Sequence, residues 1–85
     1  MASYRLFIKP SAAKELEAVP SKDRKRLALR IGHLVSEPRP AGTEKLSGQE
    51  KYRLRQGDYR VLYSVDDATL AVTIVKIGHR RDVYR

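Results

Sequence analysis

Residues 51–63 read KYRLRQGDYRVLY, two alternating runs around a Gln56-Gly57-Asp58 turn signal. The pattern predicts a β-hairpin. Tyr52 and Leu54 fall on one face, and Arg53 and Arg55 on the other. A two-residue turn at Gln56-Gly57 sets Arg53 opposite Arg60; a turn at Gly57-Asp58 sets Arg55 there instead. A three-residue loop pairs Leu54 with Arg60 and mixes the faces, so it is disfavoured. Either favoured register opposes two arginines, at a cost of up to about 1 kcal/mol. An anion seated between them would offset that cost. The face is suited to phosphate.

The rest of the chain supplies the layers around this hairpin. Residues 4–9 (YRLFIK) form a first strand that ends at Pro10. Ser11 is placed to cap a short helix carrying Leu16 and Val19, which Pro20 ends. Ser21 is a second N-cap candidate, with Asp23 favourable in the first turn. From there to about Ser36, the residues Leu27, Ile31, Leu34 and Val35 make an apolar stripe at helical spacing, and Pro38 and Pro40 forbid continuation. Glu44 to Leu46 predict a short strand. Residues 59–65 alternate, Asp66-Asp67-Ala68 turns, and residues 70–77 are strongly β-prone. Pairing Val65 with Leu70 places Tyr63 opposite Val72 and Val61 opposite Ile74, a layer for the helices to cover. The same register sets Arg60, Leu62 and Ser64 with Val75, Ile77 and His79 on the other face. The order β-α-α-β-β-β predicts one α+β domain over residues 1–85. Its expected form is a twisted antiparallel sheet with two helices on one face and the other face open and basic.

Charge narrows the partners. The chain has 18 Lys+Arg against 10 Asp+Glu, a formal net charge of +8. Such a balance on a small domain favours nucleic acid, an acidic protein or an anionic surface. With no cysteine there is no disulfide framework or thiolate metal site. His33 and His79 lie far apart without a second ligand nearby, so neither metal nor cofactor is expected. No apolar run approaches the roughly eighteen residues needed to cross a bilayer, and no signal peptide opens the chain. No membrane partner is expected, and the cytoplasm is the simplest location.

Four features converge as candidate binding or catalytic groups. The first is the set Arg53, Arg55 and Arg60, with Lys51 at the start of the same run. The second is the tail Gly78-His79-Arg80-Arg81-Asp82-Val83-Tyr84-Arg85, which offers phosphate clamps, a proton carrier in His79 and a base-stacking ring in Tyr84. The third, the tyrosines Tyr4, Tyr52, Tyr59 and Tyr63, falls on core or border positions and reads as packing. The fourth is a basic ridge on the second helix: Lys22, Arg26, Arg30 and His33 at three- and four-residue spacing, beside Lys25. A solvated helix face explains any one of these; as a stripe they suit an RNA backbone or an acidic partner. Paired carboxylates and nucleotide-holding glycine loops are absent from the sequence. Metal-dependent nuclease chemistry is not expected, and a metal-independent nuclease is left open, in which the ribose 2′-OH attacks its own phosphate while arginines neutralise developing charge.

The pattern KLSG…YRLRQGDYRVLY…VKIGHRRDVY, from Lys45 to Tyr84, resembles the RelE toxins of bacterial and archaeal toxin–antitoxin modules, within the RelE/ParE superfamily. The N-terminal SAAKEL and SEP segments fit the same family, so the likeness covers nearly the whole chain. The resemblance implies a ribosome-dependent endoribonuclease that enters the A site, cuts mRNA without metal, and is silenced by a tightly bound antitoxin, here RelB-like with an acidic amphipathic segment. It makes Arg60 and Arg80 the essential arginines, acting on the pentacoordinate phosphate and the leaving 5′-oxygen, and Tyr84 the stacking or activating tyrosine. Lys51, Arg55, Arg81 and the helix ridge would hold RNA or the ribosome. Arg53 and Arg55 stand where better-studied members carry lysines. An arginine with a pKa above about 12 cannot serve as base, which leaves His79 as the proton carrier. Ser47 stands where some members have an arginine. Two alternatives remain: a ParE-like poison of DNA gyrase, and a non-catalytic RNA-binding module.

Overall fold

The computed structural model describes residues 3–46 and 50–79. The first strand, β1 (Arg5–Ile8), leads into helices α1 (Pro10–Glu17) and α2 (Ser21–His33). Four strands follow: β2 (Glu44–Lys45), β3 (Lys51–Gln56), β4 (Tyr59–Asp66) and β5 (Ala71–His79). They form one sheet in the order β1-β5-β4-β3-β2. The three later pairings are antiparallel, as expected, whereas β1 runs parallel to β5. The sheet is therefore mixed. A parallel neighbour needs a long crossover, and here the helices and the returning strands provide it.

Both helix starts differ from the capping expected. Pro10 is already helical, with Lys9 at the cap, and Pro20 caps α2, so Ser11 and Ser21 lie inside the first turns. Proline at the first helical position loses no hydrogen bond, because that N–H has no intrahelical partner. The apolar stripe does what its spacing implies: Leu27, Ile31 and Leu34 are buried against the sheet.

The core lies between the helices and one sheet face. Tyr52 and Leu54 of β3 join Val61, Tyr63 and Val65 of β4 and Val72, Ile74 and Ile77 of β5. The Tyr52 and Tyr63 rings stack at 5.7 Å, and the Tyr63 hydroxyl donates to the Pro38 carbonyl at 2.7 Å. This last bond ties the segment after α2 to the sheet. Tyr4 and Tyr59 pack at the core's margin, so the four tyrosines read as packing are packing.

The hairpin closes at Gly57-Asp58, which sets Arg55 opposite Arg60. Gly57 has a φ of 60°, the sign a type II′ turn demands at its first central position. The β4–β5 pairing departs from the expected register. Val65 lies opposite Val72 and Tyr63 opposite Ile74, and a bulge then leaves Val75 unpaired, so that Val61 meets Ile77 and Tyr59 meets His79. One extra residue reverses which face each later side chain occupies. Ile77 is thereby 1 % exposed instead of lying on the open face. Where β1 has ended, Glu15 of α1 covers the β5 edge: its Oε1 accepts from the Ile77 N–H at 3.0 Å and its Oε2 from Lys76 Nζ at 3.3 Å.

Candidate nucleic-acid interface

β3 and β4 build the open face. Alternation along β3 places Lys51, Arg53 and Arg55 on it, and the hairpin register adds Arg60 from β4. On β5 the residue across from Arg60 is Gly78, which brings no side chain to that side. Arg55 and Arg60 thus flank a shallow strip at the hairpin end of the sheet, while Lys51 lies at the opposite end of β3.

One anion is already present on this face. Glu44 stands across from Arg53 in the β2–β3 pair, and its carboxylate bonds the Arg53 guanidinium and lies 3.3 Å from Arg55 Nη2. The Arg53 side chain is only 16 % exposed and Arg55 is 55 % exposed, so Arg55 is the more accessible of the two. Sequence reasoning missed Glu44. Its pairing with Arg53 depends on the β2–β3 register, which no local pattern encodes.

His79 does not share this face. The bulge carries it to the helix-covered side, where its ring meets Tyr59 edge-on at 5.7 Å and lines a shallow hollow with Glu15, Ala18 and Val19. The expectation that it stands beside Arg60 as proton carrier is corrected on that ground. Ser47, Arg80, Arg81 and Tyr84 lie outside the described residues.

The helix ridge is a separate surface. Lys22, Lys25, Arg26 and His33 are exposed on α2, which packs on the face opposite the arginines. Arg30 of the same ridge turns inward and donates to Gln56 Oε1 at 3.1 Å, fastening α2 to the end of β3. The ridge and the open face cannot grip the same phosphate.

At the other end of the sheet, Arg39 is the centre of a second network. Its guanidinium makes two hydrogen bonds to Asp67 (2.8 and 3.2 Å) and one to the Tyr52 hydroxyl (2.9 Å). The Tyr4 hydroxyl also donates to Asp67, and that of Tyr52 donates to Glu50. Arg39 first, then Tyr4, hold the Asp67 carboxyl below its ordinary range. Tyr52, then Lys45, do the same for Glu50. This network fixes the start of β3 and, among the described residues, carries none of the predicted site residues.

Comparison with known proteins places the chain. Residues 6–84 match the model of the ParE toxin of the type II toxin–antitoxin system parDE. The toxin RelG of Mycobacterium tuberculosis is 30% identical over 96% of this chain and 97% of its own length. The toxin RelE of the same organism is 32% identical over 96% and 87%. Among solved structures, the archaeal RelE–RelB complex from Pyrococcus horikoshii superposes with a TM-score of 0.81 at 30% identity, covering 95% of this chain and 99% of that one. Fold and sequence therefore agree, and the chain belongs to the RelE/ParE family of toxins of type II toxin–antitoxin systems.

Proposed function

We propose that this toxin cleaves mRNA in the ribosomal A site, by metal-independent attack of a ribose 2′-OH on the adjacent phosphate, and so stops translation. The observation that carries the reading is the opposition of Arg55 and Arg60 on an open sheet face. Arg60 stabilises the pentacoordinate phosphate, where fixed charge acts most strongly on the transition state. Arg55, with Arg53 behind it, draws in the RNA backbone. Arg80 assists at the phosphate or the leaving 5′-oxygen, and Tyr84 stacks on the nucleotide. These arginines supply charge and not a base. His79, across the sheet from Arg60, is not assigned the proton. Lys51 and Arg81 extend the RNA contact, and the exposed Lys22, Lys25 and Arg26 meet the ribosome on a different side. A RelB-like antitoxin with an acidic amphipathic segment covers the basic surface and silences the toxin; structures of RelE bound to RelB support that partner.

The test is to map mRNA 5′ ends in a reconstituted translation reaction with and without the protein. New ends within the A-site codon, seen only with ribosomes, are expected. Intact mRNA overturns the proposal. Because the matching family model is named for ParE, a gyrase poison is the second reading. Intact mRNA with a DNA-damage response on expression would establish it.

A further inference from the structure

Glu44 meets both open-face arginines that precede the hairpin turn, Arg53 and Arg55. Its oxygens occupy the Arg53–Arg55 pair, a position that suits a phosphate as well, since guanidinium forks match carboxylate and phosphate oxygens alike. Two features make the contact displaceable. The Glu44 side chain is 48 % exposed and that of Arg55 55 %, so their contact is an exposed ion pair that contributes little. The strand that carries it, β2, is two residues long and lies at the sheet edge, so few backbone bonds hold it in place.

We infer that Glu44 is an internal competitor for a phosphodiester group: it occupies the Arg53–Arg55 pair until an RNA strand takes its place, and so sets the affinity of this face for RNA. The inference rests on reading the open face as the RNA surface. A carboxylate left beside an arriving phosphate repels it, whereas one that swings aside releases both guanidiniums to the strand. In the resting protein the same carboxylate relieves the mutual repulsion of Arg53 and Arg55. Glu44 therefore favours the fold and opposes the ligand.

The experiment measures binding of a labelled 2′-O-methyl RNA oligonucleotide, which has no 2′-hydroxyl to attack, by anisotropy, alongside thermal unfolding. Glu44→Gln is expected to bind roughly fivefold tighter, the scale of one partly exposed ion pair, while melting lower. Glu44→Ala has the same expectation and serves should the amide disturb β2. Arg60→Ala is expected to bind more weakly. If Arg60→Ala weakens binding and both Glu44 variants bind equally or more weakly than the parent, Glu44 organises the arginines and the inference is overturned, with the RNA surface intact. If none of the three changes binding, both the inference and the RNA surface are overturned.

Discussion

Arg60 faces Arg55 across one strand boundary and Gly78 across the other, so the sheet pairing sets like charge on one side of it and no side chain on the other. On the proposed reading Arg60 serves the RNA phosphate, and the fold should tolerate its loss. Arg60→Ala is expected to lower the melting temperature by no more than about 4–8 °C, the equivalent of ~1 kcal/mol in a domain this size. Cleavage in the ribosomal assay is expected to fall by roughly 10²–10³-fold, as when one fixed donor to a developing oxyanion is removed. Arg60→Lys keeps the charge and loses the planar fork, and should fall between the two. A large stability loss in Arg60→Ala, measured by circular dichroism, would make the residue structural. The arginines were legible in the sequence because alternation fixes which side chains share a face. The counter-ion of Arg53 and Arg55 was not: Glu44 reaches them only through the β2–β3 register, which no local pattern encodes.

The bulge in β5 decides more about the site than any single side chain. Alternation in β3 and β4 made the hairpin readable, since apolar and charged residues take turns there. Both two-residue registers kept that alternation, and the pairing of Gln56 with Tyr59 identifies the observed one, with Gly57 at the first central position of the turn. In β5 the run from Leu70 to Ile77 is apolar almost throughout, so it carries no phase. A slip or an extra residue leaves no trace in such a pattern. The resulting reversal buried Ile77 and moved His79 across the sheet. Glu15 holds this arrangement by accepting from the Ile77 N–H where β1 no longer does. Glu15→Ala should therefore leave a part-buried donor unsatisfied, costing about 1–2 kcal/mol. The expected readout is a melting temperature lower by about 5–15 °C, with faster amide exchange at Ile77. Glu15→Gln retains an acceptor and should recover most of the loss. Equal melting of all three proteins would show that the edge needs no cover.

Across the whole molecule, charge is sorted by end and by face. The hairpin end presents opposed arginines, and the far end spends its acids on Arg39 and Lys45. Those acids make stability depend on pH in a defined direction. Asp67 and Glu50 both titrate below their ordinary values of 3.8 and 4.5 in the fold, because Arg39 and Tyr52, respectively, bond the charged forms most strongly. A depressed carboxyl contributes stability that is fully present above its unfolded value and is lost as the pH falls through the folded one. The melting temperature should therefore hold from neutrality to about pH 5 and then drop through pH 4 and below. Protonation also strips negative charge from a chain that already carries +8, which steepens the fall. At the alkaline end the sign reverses. Burial raises the Tyr63 phenol and the Asp67 contact raises that of Tyr4, so their contribution is present below pH 10.0 and lost as the pH climbs through the raised values. Asp67→Asn separates the network from the general charge effect. It should melt lower than the parent at pH 7 and lose less on acidification, so that the two curves converge near pH 3. Parallel curves across that range would mean that the Asp67 contact with Arg39 makes no pH-dependent contribution.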